Sequence, residues 1–159
     1  MNVLNWKRGA RVAVWLLAVA LVVATLGCGR KTAPTAPAQA GGDARVVWLD
    51  NYENALTQAQ AEKKPLMVDV MADWCSACKR LDAEVFSRAD VAAAAGKFVA
   101  VKVDGDKRPE LKKRFEVSGY PTIILLTPEG KELGRVRGAV PYQVMKSALE
   151  EAARPGSGS

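Results

Sequence analysis

Two cysteines set three positions apart are the residues of this sequence best suited to chemistry. Cys75 and Cys78 lie within MADWCSACKRL (71–81), where an apolar run gives way to charged residues. They could form half of a metal site, a structural disulfide or a redox-active dithiol. Structural zinc takes about four ligands, whereas the sequence has three cysteines and no histidine. A disulfide closing so short a loop constrains the unfolded chain little, so redox chemistry is the favoured interpretation and no metal is expected.

The predicted surroundings of the pair suggest how a dithiol would work there. Cys75 opens a helical pattern directly after the apolar run, so unpaired backbone N–H groups and the positive end of the helix dipole would stabilise its thiolate. Cys78, one turn further along, would face the same side and resolve a mixed disulfide formed at Cys75. No cofactor is expected besides this redox-active disulfide. The absence of histidine excludes Cys-His and Ser-His nucleophile pairs and imidazole acid–base catalysis.

Alternating strand and helix patterns must position this dithiol. Apolar runs predict strands and 3.6-residue periodicity predicts helices. In chain order the pattern predicts a helix at 51–63, a strand at 65–72, helices at 75–86 and 90–95, a strand at 97–104, a helix at 108–117, strands at 121–127 and 131–138, and a helix at 141–153. Strands interleaved with helices, ending in a hairpin and a helix, predict an α/β fold with a central mixed sheet covered on both faces.

Several quoted motifs also carry a family resemblance. The stretch VDVMADWCSACK (68–79), together with GYPT (119–122), resembles the thioredoxin-fold family. Within that family ADWCSACK is most similar to the C-terminal periplasmic domain of the disulfide reductase DsbD and to stand-alone thioredoxin-fold lipoproteins. The similarity covers about residues 47–150 and includes four positions around the cysteines and near GYPT: Asp69, Trp74, Lys79 and Pro121. It implies the thioredoxin fold, a central mixed β-sheet flanked by helices on both faces.

The resemblance implies roles for the dithiol and for a proline loop. Cys75 would be the attacking thiol and Cys78 the resolving thiol. Pro121 would be a cis proline whose loop lies against the dithiol and pairs with the substrate backbone, with Tyr120 and Thr122 as further substrate-binding residues. A cis peptide bond is tolerable almost only before proline, and Pro121 opens a strand where it disturbs the ladder least. The alternative is an ordinary trans proline at the start of a strand.

Two charged residues are expected behind the dithiol. Asp69 interrupts the apolar strand LMVDVM (66–71), where burial would raise its pKa and make it a proton acceptor for Cys78. The alternative is an acid turned outward on a partly exposed strand. Lys102 matches the lysine near this acid in thioredoxins and would modulate it, although a solvated strand lysine would leave the same pattern.

The loop before Cys75 contains two further candidate site residues, Trp74 and Asp73. Trp74 is expected to flank the dithiol and offer the substrate a flat apolar surface; the alternative is simple packing at the sheet edge. Asp73 lies in the same loop and is a candidate modulator of Cys75.

The N-terminus has the pattern of an export signal. Basic residues precede a 13-residue apolar run at 12–24, shorter than the roughly 20 residues needed to span a bilayer. TLGC (25–28) resembles the lipobox of bacterial lipoproteins, except that Thr25 stands where leucine is usual. We expect a signal peptide at 1–27 and lipidation of Cys28, with an ordinary secretory cut or an uncleaved anchor as alternatives. Each places the remaining chain outside the cytoplasmic membrane, on the periplasmic side of the cell envelope.

The segments around the predicted domain are low in apolar periodicity. The Pro-, Ala- and Gly-containing stretch 28–44 is expected to be a flexible tether, residues 45–153 a thioredoxin-like domain, and 154–159 a disordered tail. Of 23 Lys and Arg residues, three lie in the predicted signal peptide, and the remainder face 17 acids. That balance is too weak and interspersed to predict nucleic-acid binding, and a monomer is expected.

The residues between the cysteines bear on the direction of electron flow. Thioredoxins carry Gly-Pro there, whereas this chain has Ser76 and Ala77, and the histidine of DsbA-type oxidants is absent. We expect a reductant or electron relay for envelope proteins with disulfides, apocytochrome c being one candidate class. In an oxidising compartment a reductant needs electrons from a membrane thiol carrier of the DsbD or CcdA type. The alternatives are a net disulfide oxidase or isomerase, and a non-catalytic adaptor that binds partners through the Pro121 face.

Overall fold

A five-stranded mixed sheet forms the centre of the computed structural model, which describes residues 45–156. The strands, in chain order, are β1 (Trp48–Leu49), β2 (Leu66–Met71), β3 (Val99–Asp104), β4 (Thr122–Leu126) and β5 (Glu132–Arg137). Their spatial order is β1-β3-β2-β4-β5. The β1, β3 and β2 strands are mutually parallel, whereas β4 runs antiparallel to both β2 and β5. The signal peptide, Cys28 and the tether lie outside the described residues.

Helices connect the strands. They are α1 (Tyr52–Glu62), α2 (Ser76–Leu81), α3 (Ala89–Ala95), α4 (Pro109–Arg114) and α5 (Tyr142–Ala152), and a π-helical turn at Asp82–Phe86 continues α2. The Asn51 side chain caps α1 by accepting a hydrogen bond from the Asn54 N–H at 2.8 Å. Among residues 45–156 no helix combines the length and apolarity needed to cross a membrane.

The alternation of side chains along β2 divides the core into two parts. Leu66, Val68 and Val70 pack on one face of the sheet with buried residues of α1 and α4. Met67 faces the other side, where α2, the π-helical turn, α3 and α5 contribute their apolar residues. Because successive side chains of a strand point to opposite faces, Asp69 lies on the same face as Met67. Each fully buried Leu, Val or Met contributes about 1.5–3 kcal/mol.

Three loops meet at one edge of this sheet. The β2 and β3 strands are parallel neighbours with Met71 opposite Asp104, so the loops that follow them leave at the same edge. The β4 strand is antiparallel to β2 with Thr122 opposite Val70, so the loop that precedes β4 arrives there as well. This topology brings the cysteines and GYPT together.

The sequence-based fold prediction is confirmed in its main elements. The described helices and the four longer strands fall within two or three residues of the predicted bounds. The two-residue β1 was missed because so short a strand has no detectable periodicity. The predicted helix 75–86 exists, but its second half, Asp82–Phe86, is π-helical.

Candidate active site

The dithiol lies at the junction of β2 and α2. Cys75 has extended backbone angles (φ −72°, ψ 104°) and caps α2, and a disulfide joins it to Cys78. The Cys78 N–H donates a hydrogen bond to Cys75 Sγ at 3.1 Å, and the Cys75 N–H donates to the Ala72 carbonyl at 2.9 Å. Both cysteines are buried. Once the disulfide is reduced, an N–H aimed at Cys75 Sγ stabilises the thiolate over the thiol.

A group that we call the buried acid cluster consists of Asp69, Lys102 and Asp82. Lys102 Nζ donates to Asp69 Oδ2 and to Asp82 Oδ1, both at 2.7 Å. The Asp69 side chain is 2% exposed, whereas those of Lys102 and Asp82 are 24% and 40% exposed. Burial raises the pKa of Asp69, and the positive charge of Lys102 opposes that increase only in part. Asp69 is therefore an acid that can hold a proton.

The buried acid cluster is linked to the dithiol through α2. Asp82 lies four residues after Cys78, and its backbone N–H donates to the Cys78 carbonyl at the end of the helix. Residues four apart on a helix are neighbours on its surface, so Asp82 joins the cluster to the helix that carries Cys78. Among residues 45–156, Asp69 Oδ1 is one of two buried side-chain nitrogen or oxygen atoms without a hydrogen-bond partner, which leaves it able to accept a proton.

A second group, which we call the surface aromatic network, consists of Trp74, Asp106 and Tyr120. The Trp74 indole N–H donates to Asp106 Oδ2 at 2.8 Å, and the Tyr120 hydroxyl donates to Asp106 Oδ1 at 2.7 Å. The two rings meet edge to face with centroids 5.9 Å apart. Trp74 is 71% exposed, and Tyr120 packs against the small buried cluster of Ala72, Cys75 and Cys78. An exposed indole beside a dithiol offers an apolar surface to a polypeptide.

The proline loop is held in place by hydrogen bonds. The Tyr120–Pro121 peptide bond is cis, as the resemblance implies. The Pro121 carbonyl accepts from the Gly138 N–H at 2.8 Å, and the Thr122 hydroxyl donates to the Gly119 carbonyl at 2.8 Å. Thr122 is buried, so it supports the loop from within.

The remaining sequence-predicted residues lie further out. The Asp73 carboxylate is 68% exposed and forms an ion pair with Lys107 at 2.5 Å, so solvent and that ammonium group screen its charge. Cys28 lies outside the described residues.

Two residues of the site were missed by the sequence analysis, although signals for both existed. Asp82 lies at the i+4 position from Cys78, the spacing that places two side chains on one helix face. Asp106 follows β3 as Cys75 follows β2, and the carboxyl ends of neighbouring parallel strands meet at one sheet edge. Neither signal is specific without the sheet order.

Comparison with known proteins gives a consistent result. Residues 52–153 match the family model described as a thioredoxin-like domain. The chain is 37% identical over 139 residues to the thiol:disulfide interchange protein DsbD of Cronobacter sakazakii, over 78% of this chain and 24% of that protein. It is 35% identical over 88 residues to thioredoxin 1 of Chlorobaculum tepidum, over 55% of this chain and 84% of that protein. The chain thus spans about a quarter of the length of that DsbD relative.

A solved structure shows the same fold. The solution structure of a thioredoxin from Thermus thermophilus superposes with a TM-score of 0.61 at 29% identity, covering 67% of this chain and 85% of that one. The predicted fold class, a mixed sheet with helices, is therefore confirmed.

Proposed function

The chain belongs to the thioredoxin-like family as a thiol:disulfide oxidoreductase of the thioredoxin and DsbD type, and from that premise we propose that it is a protein-disulfide reductase of the cell envelope. The observation that carries this proposal is the arrangement of the dithiol: Cys75 receives an N–H at its sulfur, and the buried Asp69 is connected through Lys102 to Asp82, four residues after Cys78. Such a site can both attack a client disulfide and release itself from the product.

The first step is attack by Cys75. Its thiolate attacks one sulfur of a client disulfide, so that a bond forms between Cys75 and the client while the client disulfide breaks. The second client sulfur leaves as a thiolate and takes a proton from solvent. Trp74 and the loop carrying Tyr120, Pro121 and Thr122 bind the client polypeptide next to Cys75 during this step.

The second step releases the client. Asp69 accepts the proton of the Cys78 thiol, and the resulting thiolate attacks Cys75, which forms the Cys75–Cys78 disulfide and expels the client sulfur that was bound to Cys75. This client thiolate takes a proton from solvent, and Asp69 returns its own proton to solvent. Two electrons have then passed to the client. Lys102 lies 2.7 Å from Asp69 Oδ2 and modulates the affinity of that carboxylate for the proton, and Asp73 modulates Cys75 weakly from the exposed loop.

The oxidised protein must be reduced again before another cycle. We assign this task to a membrane thiol carrier of the DsbD or CcdA type, because an oxidising compartment holds no sufficient pool of reductant. Clients are envelope proteins with disulfides, including apocytochrome c, whose haem-attachment cysteines are needed in reduced form. No cofactor besides the dithiol is required by this cycle.

The proposed location depends on the N-terminal segment. Residues 1–27 act as a lipoprotein-type signal peptide, Cys28 is lipidated, and residues 28–44 tether a monomeric domain (45–153) to the membrane surface. Metabolic labelling with a radioactive fatty acid tests this directly: the wild-type chain should take up label and a Cys28→Ala chain should not. Label in the Cys28→Ala chain, or none in the wild type, would contradict lipidation at this residue.

The direction of electron flow is tested by the equilibrium reduction potential of the Cys75–Cys78 pair, measured against glutathione and dithiothreitol buffers. A value near that of thioredoxin, about −270 mV, supports a reductant supplied by a membrane carrier. A value near that of DsbA, about −120 mV, would make the protein an oxidase. Reduction of insulin by the reduced protein gives an independent check, since an oxidase would leave insulin disulfides largely intact.

A further inference from the structure

We propose that Trp48 is a positioning residue of the site, whose indole ring holds the ammonium group of Lys102 against Asp69, the proton acceptor of the second step. The inference rests on the proposed reductase function and deepens it, because it names a residue outside the dithiol loops that affects resolution by Cys78. Its basis is a row of side chains across three neighbouring strands.

Strand register places Trp48 on the same sheet face as the buried acid cluster. Trp48 of β1 lies opposite Ala100 of β3, and Asp69 of β2 lies opposite Lys102 of β3. Ala100 and Lys102 are two residues apart on one strand, so their side chains share a face. The side chain of Lys102 therefore has the indole ring on the β1 side and the carboxylate on the β2 side.

Two aromatic rings lie around the ammonium group of Lys102. Its Nζ is 4.4 Å from the Trp48 ring centroid and 5.8 Å from the Phe86 ring centroid, and the two rings meet edge to face with centroids 4.9 Å apart. An ammonium group has three N–H donors, and Asp69 and Asp82 accept from it at 2.7 Å each. A cation this close to an indole ring is attracted by it. The ring thus supplies a further contact to a group whose hydrogen bonds go to carboxylates.

The indole also limits the access of water to Lys102. Both residues line a groove of about 540 Å³, together with two further cations, Arg45 and Lys79, neither of which is among the charges that shift the pKa of Asp69. Water in this groove can compete for the N–H groups of the partly exposed ammonium. An ion pair is strongest where water is excluded, so a ring that covers Lys102 keeps its charge effective at Asp69.

The charged groups around Asp69 come from β3 and from the π-helical turn. Burial raises the pKa of Asp69, the charge and the hydrogen bond of Lys102 lower it, and the charge of Asp82 raises it. On the other neighbouring strand, β4, the residue opposite Asp69 is the apolar Ile123. Because Trp48 is uncharged and β3 separates it from Asp69, it acts on that carboxyl group through Lys102.

The test is a carboxyl ¹³C NMR titration of the oxidised full chain in detergent, labelled at aspartate. The Asp69 resonance is the one that Asp69→Asn removes, and the cysteines do not titrate in the disulfide form. Trp48→Leu removes the ring but keeps an apolar side chain, and we expect it to raise the titration midpoint of Asp69 by about half a pH unit or more. Trp48→Phe keeps an aromatic face and should restore most of the wild-type midpoint.

A Lys102→Met background shows whether the effect passes through Lys102. Methionine keeps a long side chain without the charge, so this change alone should raise the Asp69 midpoint more than Trp48→Leu does. Adding Trp48→Leu should then give no further rise, because no ammonium group is left to position. Equal shifts in the two backgrounds would mean that the indole acts on Asp69 without Lys102, and would overturn the inference.

Leu49→Ala is the matched control. Leu49 is the other residue of β1, and it packs against the core on the opposite face of the sheet, so this change perturbs the strand without touching Lys102. It should leave the Asp69 midpoint unchanged, and a rise equal to that of Trp48→Leu would overturn the specific role of the indole. If Trp48→Leu fails to fold, Trp48→Met, which puts a flexible apolar chain in place of the ring, gives the same comparison.

Resolution kinetics connect the position of Lys102 to the reaction. In single-turnover reduction of insulin, the pH midpoint of resolution by Cys78 should rise in Trp48→Leu together with the Asp69 midpoint. An unchanged Asp69 midpoint, or a raised one with an unchanged resolution profile, would overturn the inference and leave the reductase intact. A wild-type protein that does not reduce insulin would overturn the proposed function, whereas the titration of the oxidised protein would still decide whether Trp48 positions Lys102.

Discussion

Two carboxylates near the dithiol lie in opposite environments: Asp69 is buried and Asp106 is half exposed. In the buried acid cluster, Asp69 is almost completely enclosed and burial raises its pKa, with Lys102 opposing that change. In the surface aromatic network, Asp106 is 47% exposed, and hydrogen bonds from Trp74 and then Tyr120 lower its pKa. The charged form of the same functional group is therefore disfavoured in one region and favoured in the other.

This difference explains the division of work. A carboxyl group that takes up and releases a proton near neutral pH must be destabilised as an anion, and desolvation does this. A carboxylate that orients neighbouring donors must stay ionised, since protonation converts an acceptor into a donor. Under the proposed mechanism, burial thus suits Asp69 to proton transfer and exposure suits Asp106 to holding its two aromatic donors.

The largest expected effect on the rate of insulin reduction comes from replacing the thiols of Cys75 and Cys78. Cys75→Ser should lower the rate of insulin reduction about a thousandfold or more, because a hydroxyl at its ordinary pKa is a poor nucleophile. Cys78→Ser should still attack but should accumulate a mixed disulfide with the client, visible by non-reducing electrophoresis and mass spectrometry. A Cys75→Ser protein that retains activity would show that Cys75 is not the attacking thiol.

The Cys78→Ser variant, which traps the mixed disulfide, also allows the effects of Asp69 and Asp106 to be measured separately. In the Cys78→Ser background no resolving proton transfer takes place, so adding Asp69→Asn should leave the rate of mixed-disulfide formation within about twofold of that of the single variant. Adding Asp106→Asn should slow trapping of insulin, because client positioning precedes attack. Equal effects of both changes would mean that the two carboxylates are not functionally separate.

The next effect is expected from Asp69→Asn in the wild-type background. Loss of the proton acceptor should slow resolution by Cys78 about ten- to a hundredfold at neutral pH, near the low end of general-base contributions because thiols are acidic. The measurement is single-turnover reduction of insulin followed by rapid mixing and quenching. Asp69→Glu, which keeps a carboxyl group, is the rescue control, and resolution at the wild-type rate in Asp69→Asn would exclude Asp69 as the base.

The two carboxylates should also affect stability with opposite dependence on pH. Because the pKa of Asp69 is raised on folding, the folded protein keeps a proton that the unfolded chain releases, and the unfolding free energy falls as pH rises above about 4. The slope is at most about 1.4 kcal/mol per pH unit. Because the pKa of Asp106 is lowered, its contribution is present above about pH 4 and is lost as the pH falls below the ordinary carboxyl range.

Denaturant unfolding of the oxidised protein between pH 3 and pH 8 measures these contributions. The stability of Asp69→Asn relative to the wild type should increase with pH, whereas that of Asp106→Asn should decrease. Parallel pH profiles for wild type and Asp69→Asn would contradict a raised pKa at this position. The disulfide form is used so that the cysteines do not titrate.

The smallest effect is expected at Asp73. Its carboxylate and the Lys107 ammonium are each more than two-thirds exposed, and exposed ion pairs contribute little in salt solution. Asp73→Asn should change the rate of insulin reduction by less than about twofold. It should leave the midpoint of urea unfolding unchanged within measurement error. A change larger than that caused by Asp106→Asn would assign Asp73 a greater role than a weak modulator of Cys75.

Much of the fold and the reactive centre was predictable from local patterns. The strand LMVDVM followed by CSAC determines where β2 ends, where α2 begins and which thiol opens the helix, because strand and helix periodicity is encoded in adjacent residues. The burial of Asp69 followed from its apolar neighbours on the strand. The two-residue β1 and the π-helical turn were not predictable, because neither changes the local pattern enough to be detected.

The sequence by itself thus determined the chemistry of the site, through the spacing of Cys75 and Cys78 and the acid within a buried strand. Only the tertiary structure decided which groups surround that chemistry. Lys102 reaches both acids of the buried cluster, and Asp106 bonds to Trp74 across a separation of 32 residues in the chain. Such contacts arise from the order and direction of strands, and strand order is set by the energy of the whole core rather than by any short stretch of residues.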